Sequence, residues 1–567
     1  MTESSGNVVS KETVVKTFVF AAASVVAGMG GVVGCGPQVG TADSASGSGA
    51  GTGSAGDGSG TVGNSMTAAV DESGDTSEPP GQSAMWTTNN SDVDILIVVD
   101  NSASMGAKQA VLAESMASII DVLERDEVNA SWRLAVTTTD NGNPWCQGTT
   151  PEGGKFVASS CRSRLNDFSS AALMIDATQE ACLNVCGDAF ADISLQPTPV
   201  AGQAGVASRP WVERIDGVSN LPANVSAEDA LACMLPMGIS GCGFEEPLEA
   251  MYKALTRATT VGEPEYGFLR DDAVLVVVFV TDEVDGSFNK AFEEIYLPEG
   301  NRVFWSDPTA PSPTSAVAWN AGVECTGSSP YVECHSVELD VDGNPAAGDG
   351  SNAVMLPVAR YVDLLQGIES IKTTGDVFVS VIAGVGDDGS VTYADAADPL
   401  DQMQFGIGPG CTSGLGDANP PVRLREDAEA FAVGNQQNLF SICVADYSPA
   451  FEVIAESVAD QVQPACLPGC VDDLDPTTPE LEPSCVVVQE EPQADGTVIE
   501  TVVPECLADG QLPDDATVCH VVLVGDARSD YCIDEGAPVQ FVVHRQPGDP
   551  ASGGTVVRAT CGNATCG

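Results

Sequence analysis

Histidine is nearly missing from this chain of 567 residues: only His335, His520 and His544 occur, and none sits beside a recognisable nucleophile. No Cys-x-x-Cys is present either, which leaves zinc without a ligand set. There is no Gly-x-Ser-x-Gly elbow, no His-Glu-x-x-His and no phosphate loop, so the chain is expected not to be an enzyme. Paired carboxylates carry no information here, because they occur throughout. Cations are scarce. Lys plus Arg number 22 against 81 Asp plus Glu, a formal charge of −59. Nucleic acid is thereby excluded as a partner, since binding it needs clustered cations that displace counterions. The same excess favours solubility and repels itself, and salt would screen that repulsion. Aromatic residues are only 5%, yet an apolar share of 43% is ample for a core. The chain therefore folds, with loose segments attached.

The first of those segments is at the start. Lys11 and Lys16 precede the apolar run 18–33, which reads as an export signal. It ends Val32-Val33-Gly34-Cys35, which resembles the lipobox of bacterial lipoproteins. That resemblance implies cleavage before Cys35 and acylation of its sulfur and new amine. An uncleaved membrane helix is the alternative, but the run is short for a bilayer about 30 Å thick and rich in glycine. Of the 19 cysteines, Cys35 is thus set aside. Ten lie between Cys146 and Cys443 and eight between Cys466 and Cys566, an even number in each region of an exported chain. Each region is expected to pair internally, with connectivity open.

Residues 36–85 are Gly, Ser, Ala, Thr and Asp with almost nothing to bury. Together with Cys35 they form a flexible linker to about residue 86, spanning about 40 Å root-mean-square. From 87 to 465 strand and helix patterns alternate, the signature of a doubly wound, mostly parallel α/β sheet. Strands are expected at 93–100, 132–139, 273–281, 377–385 and 439–444. The 273–281 run is the most continuously apolar and so the central one. Helices are expected at 107–125, 227–235, 246–256, 357–371 and 449–462. Three insertions, 141–225, 286–355 and 386–430, hold most of the cysteines of this region. They are read as long stapled loops that bury little. The tail, 466–567, carries eight cysteines and short β-like runs at 484–489, 518–524 and 539–544. It reads as a small disulfide-stapled β module.

The strongest chemical signal is the apolar strand that runs straight into Asp100-x-Ser102-x-Ser104. One carboxylate and two hydroxyls then share a tight loop at the carboxyl end of a strand, the edge where open α/β sheets bind ligands. Such an oxygen-only set suits a hard cation, which wants about six oxygens. A Ser-rich turn capping the next helix is the plainer alternative. This pattern resembles the metal-ion-dependent adhesion site of the von Willebrand factor type A family. The resemblance covers about 87–465 and implies Mg²⁺, or Ca²⁺ or Mn²⁺, held by Asp100, Ser102, Ser104 and, after the central strand, Asp282. The family's second loop supplies a threonine. Here the segment 238–248 puts Cys242 or Gly243 at that place, neither a good hard-cation ligand. Ser240 or Glu245 would have to substitute, although acidic residues at a helix start have a plain dipole explanation. Asp340-Val-Asp-Gly-Asn344 has some features of a calcium loop, but Ser351 stands at its twelfth position, and it reads as an exposed acidic turn.

The expectation is a lipid-anchored protein of the bacterial envelope, at the outer membrane or cell surface. It would bind a protein or surface ligand, a carboxylate of which completes the metal's coordination. The other expectation is a structural envelope component with a degenerate, metal-free site, in which the insertions and tail make the contacts.

Overall fold

The computed structural model describes residues 82–87 and 92–562, apart from short stretches within the latter. The export signal, Cys35 and nearly all of the linker lie outside the described residues. Among the described residues no helix is long and apolar enough to cross a membrane.

The strand Asp92–Val99 is the origin of the fold. Its apolar run is continuous because both of its faces are covered. Val93, Ile95, Ile97 and Val99 point into one core, against Leu112, Met116, Ile119, Phe451 and Ile454. Leu96 and Val98 point into the other, against Leu248, Met251, Leu255, Tyr361 and Leu365. A period of two divides the strand between two layers of helices. One layer holds Gly106–Ser115, Ala117–Leu123, Ala227–Met234 and Ser448–Ala459; the other holds Pro247–Thr259, Ala359–Glu369 and Val422–Glu429.

The sheet has seven strands, in the order Leu439–Ser441, Val377–Ala383, Val274–Val280, Asp92–Val99, Ser131–Thr138, Val212–Ile215, Val218–Ser219. The first five are parallel and the last two join antiparallel. This is the mixed α/β, mostly parallel architecture expected. The strands reverse direction of crossover at Asp92–Val99, so the ligand edge falls at the end of that strand.

Several expectations need correction. The two antiparallel edge strands lie inside 141–225, so that stretch completes the sheet and is not only a stapled loop. The helix Val422–Glu429 lies inside 386–430 and buries Leu424 and Ala428 in the second core. Residues 286–355 build a core of their own from Phe288, Tyr296, Trp305, Val317 and Met355. Alternating patterns failed to announce this core because its elements are short, the helices Lys290–Tyr296 and Ala316–Gly322 and a hairpin of four-residue strands, Val323–Thr326 and Glu333–Ser336. The expected helix at 107–125 is two helices meeting at Met116.

The tail is a β module with its own core around Leu467, Val487, Val539 and Val557. It has a three-stranded sheet, Ala465–Leu467, Val539–Arg545 and Val518–Val524, and a four-stranded one. The latter runs Gln82–Thr87, Val556–Cys561, Cys485–Pro492, Val498–Val502, with every pairing antiparallel. The expected linker therefore ends before Gln82: its last residues are an edge strand of the tail.

Cysteine pairing follows the even counts. Cys146–Cys242, Cys161–Cys182, Cys186–Cys233, Cys325–Cys334 and Cys411–Cys443 stay within the central region. Cys466–Cys532, Cys485–Cys561 and Cys506–Cys519 stay within the tail, where Cys470 is also disulfide-bonded.

One buried carboxyl makes stability depend on pH. Asp427 is fully buried on the helix Val422–Glu429, and neither of its oxygens has a hydrogen-bond partner. Burial, with the charge of Asp285 added, pushes it from 3.8 up to about 8. The folded state thus keeps a proton that the unfolded state releases above its ordinary value. The stability this group contributes is full below about pH 4 and is lost as pH rises toward about 8. Asp427→Asn is expected to melt higher than the parent at pH 8, with the gap closing as pH falls toward 4. A gap that stays constant between those limits would show that the carboxyl is ionised throughout.

Candidate functional site

Parallel register brings three strand ends to one edge. Val99 lies beside Val280, and Val280 beside Ile382. The chain keeps this alignment one residue further, with the Asp100 amide donating to the Val280 carbonyl at 2.9 Å and the Thr281 amide to Ile382 at 3.2 Å. Asp100 and Thr281-Asp282 therefore face each other across the sheet end, as the sequence led one to expect.

Asp100 is completely buried and organises the first loop. Its Oδ1 accepts the Ser102 amide at 2.7 Å, and its Oδ2 accepts the Thr281 hydroxyl at 2.6 Å. Thr281 was not expected as a partner of this carboxylate. Ser102 and Ser104 hydroxyls lie 3.0 Å apart, and Ser104 Oγ donates to Asp282 Oδ1 at 3.1 Å. Asp100, Ser102, Ser104 and Asp282 are thus one connected cluster, open to solvent at Ser104. Burial, then the charge of Asp282, pushes Asp100 up to about 7.

Lys108 is the residue that sequence reasoning missed. It stands on the first turn of the helix Gly106–Ser115 and is only 1% exposed. Its Nζ lies 2.5 Å from Asp282 Oδ2 and 3.2 Å from the Asp417 carbonyl. The available signal was a lone lysine on an otherwise apolar helix face, four residues after Ser104, in a chain poor in cations. Asp417 belongs to a hairpin, Cys411–Ser413 and Gly416–Ala418, from the third insertion. The Asn419 amide donates to the Asp282 carbonyl at 2.8 Å, and its side chain donates to Glu283 at 3.1 Å. The disulfide Cys411–Cys443 ties this hairpin to the end of the sheet. Close backbone approach is needed there. A Cβ on Gly410 would run into the Gly384 carbonyl, so only glycine lets the hairpin lie against the strand end.

The second loop differs from the family pattern in kind. Cys242, at the expected threonine place, is disulfide-bonded to Cys146, and its amide donates to Asp140 Oδ2 at 3.2 Å. Ser240 is exposed. Glu245 is buried; one oxygen accepts the Thr139 hydroxyl and the other has no partner. Burial, then the charge of Asp100, holds Glu245 well above the usual carboxylate range. Gln109 stitches this loop to the first. It donates to the Asp100 and Gly238 carbonyls, each at 2.8 Å, and accepts the Met237 and Gly238 amides.

These donors do not fit Mg²⁺ as they stand. Both Asp100 oxygens and the two hydroxyls are engaged within the protein, Asp282 is paired with an ammonium, and the second loop offers a disulfide sulfur. A magnesium ion needs about six oxygens near 2.1 Å, including water. Among the described residues, no three His, Cys, Asp or Glu side chains converge to hold a metal ion. The Asp340 segment is the expected turn, with Asp340 Oδ1 accepting the Asp342 and Asn344 amides at 3.0 and 2.9 Å.

No protein-family model matches the chain, and no curated protein does. Two of the solved structures that match are of the pilus adhesin SpaC from Lactobacillus rhamnosus GG. Its open conformation is 11% identical with a TM-score of 0.24, the alignment covering 86% of this chain and 41% of the adhesin. A second crystal form is 9% identical with a TM-score of 0.25, covering 86% and 42%. This chain spans less than half of that adhesin's length, and superposition at this level assigns neither fold nor function.

Proposed function

We propose that this chain is an exported envelope protein, lipid-anchored at Cys35, whose von Willebrand type A domain binds a protein or surface ligand at the carboxyl edge of its central sheet. The observation that carries this reading is the meeting of Asp100-x-Ser102-x-Ser104 with Thr281-Asp282 on adjacent parallel strands, beside an antiparallel edge. Disulfides throughout the described chain support an oxidising compartment. The capping hairpin and the loops around Cys146 and Cys242 leave Ser104 and the partly exposed Glu283 at the rim, where a partner would meet them.

The test is retention from an envelope extract on the immobilised full chain. The parent is expected to retain a component that Ser104→Tyr does not, because tyrosine at the exposed rim blocks the edge without entering the core. Equal retention by both would move binding away from this edge. That result would favour the second reading, a structural component contacted through insertions and tail. The specific support for that reading is Cys242, held in a disulfide where an adhesion-type loop would offer an oxygen.

A further inference from the structure

A lysine that is 1% exposed is costly unless its charge is met. Lys108 is met on two sides, by the Asp282 carboxylate at 2.5 Å and by the Asp417 carbonyl at 3.2 Å. Its position is fixed from three directions. The helix Gly106–Ser115 follows the first loop directly, Asp282 ends the central strand, and Asp417 arrives on a hairpin held by Cys411–Cys443. The same Asp282 accepts Ser104 on its other oxygen at 3.1 Å, so the ammonium and the serine loop share one carboxylate. A divalent ion bound to Ser104 and Asp282 would lie within a few ångströms of the ammonium, against the side of the cluster where Lys108 and Asp282 are buried. Like charges at such a separation repel strongly.

We propose that the Lys108 ammonium is the resident cation of this loop cluster, standing where the adhesion-type family places a divalent metal, so that the ligand edge is assembled without one. The inference rests on the proposed reading of the edge but not on any ligand. It alters the chemistry of recognition: a partner carboxylate has no metal to bridge to, and contact falls to the Ser104 hydroxyl and the groups around it. It also explains why a cysteine is tolerated in the second loop, since no oxygen ligand is required from that position.

The experiment is a thermal melt of the full chain, first freed of metal by chelator, then in excess Mg²⁺, Ca²⁺ or Mn²⁺. The parent is expected to melt at one temperature in all four conditions, whereas a metal bound only by the native state would raise it. Lys108→Met should lower the melting temperature by about 5 °C by leaving Asp282 buried and unpaired. The double variant Lys108→Met/Asp282→Asn should recover most of that loss, because it removes both charges. A saturable rise for the parent with any of the three cations would overturn the proposal, as would a double variant no more stable than the single one. If Lys108→Met does not fold, Mn²⁺ binding to the parent by electron paramagnetic resonance decides alone: bound Mn²⁺ refutes the proposal and free Mn²⁺ supports it. None of these readouts involves a ligand, so failure of the retention experiment leaves them intact.

Discussion

Replacing Arg423 by methionine is expected to lower stability by about 3–5 kcal/mol, the cost of leaving a buried charge without its partner. Asp285 lies three residues beyond Asp282 on the same loop and is inaccessible to solvent, as is nearly all of Arg423. The guanidinium Nε donates to Asp285 Oδ2 at 2.8 Å, and Nη2 donates to the Leu356 carbonyl at 2.6 Å. The other Asp285 oxygen accepts the Leu248 amide at 3.2 Å and the Ser287 hydroxyl at 2.6 Å. This one pair therefore joins the central-strand loop, the start of the helix Pro247–Thr259, the second insertion and the helix Val422–Glu429. Methionine matches much of the volume, so the loss is electrostatic rather than a cavity. Urea titration checks it through the midpoint at constant slope. Arg423→Met/Asp285→Asn should regain most of the loss. A single-variant effect below about 1 kcal/mol, the scale of an exposed pair, would mean that water reaches Asp285.

The second large effect is expected from Cys146→Ala/Cys242→Ala, at about 2–4 kcal/mol. The bridge closes a separation of 96 residues, so in the unfolded chain it removes considerable freedom. In the folded chain it pins the second loop, where Cys242 is almost fully buried and hydrogen-bonded through its amide to Asp140. Without it the loop should also become more readily cleaved by protease under native conditions, since its remaining ties to the first insertion are hydrogen bonds, from the Ile239 amide to the Asp167 carbonyl and from Arg164 to the Pro236 and Met237 carbonyls. An unchanged guanidinium midpoint would contradict this assignment. Protection from protease equal to the parent's would show that these hydrogen bonds, with those of Gln109 and Glu245, hold the loop without the bridge.

Much of this molecule was legible before folding was considered. The continuous apolar runs at 93–99 and 274–280 announced central strands because a strand covered on both faces cannot alternate. The loop after each run was consequently placed at the sheet edge, which put Asp100, Ser102, Ser104 and Asp282 together. Even cysteine counts on either side of residue 465 in an exported chain anticipated pairing within each region, which the bridges among the described residues follow. The tail was read as a β module from runs only a few residues long.

What the sequence determined by itself was whatever depends on neighbours along the chain: strand, helix, turn, and the chemistry of a loop adjoining a strand. The tertiary structure alone decided what depends on neighbours in space. Lys108 stands out along the chain only as a lysine on an apolar helix face, and its partners are set when the Asp417 hairpin, more than three hundred residues later, closes over it. Gln82–Thr87 has no local signal for its partner, since its ladder lies on Val556–Cys561 at the other end of the chain. Val212–Ile215 is too short to declare itself and is a sheet strand only because Ser131–Thr138 offers it an edge. Backbone ladders and buried ion pairs are satisfied by any correctly placed partner, and neither periodicity nor composition records which distant residue supplies it.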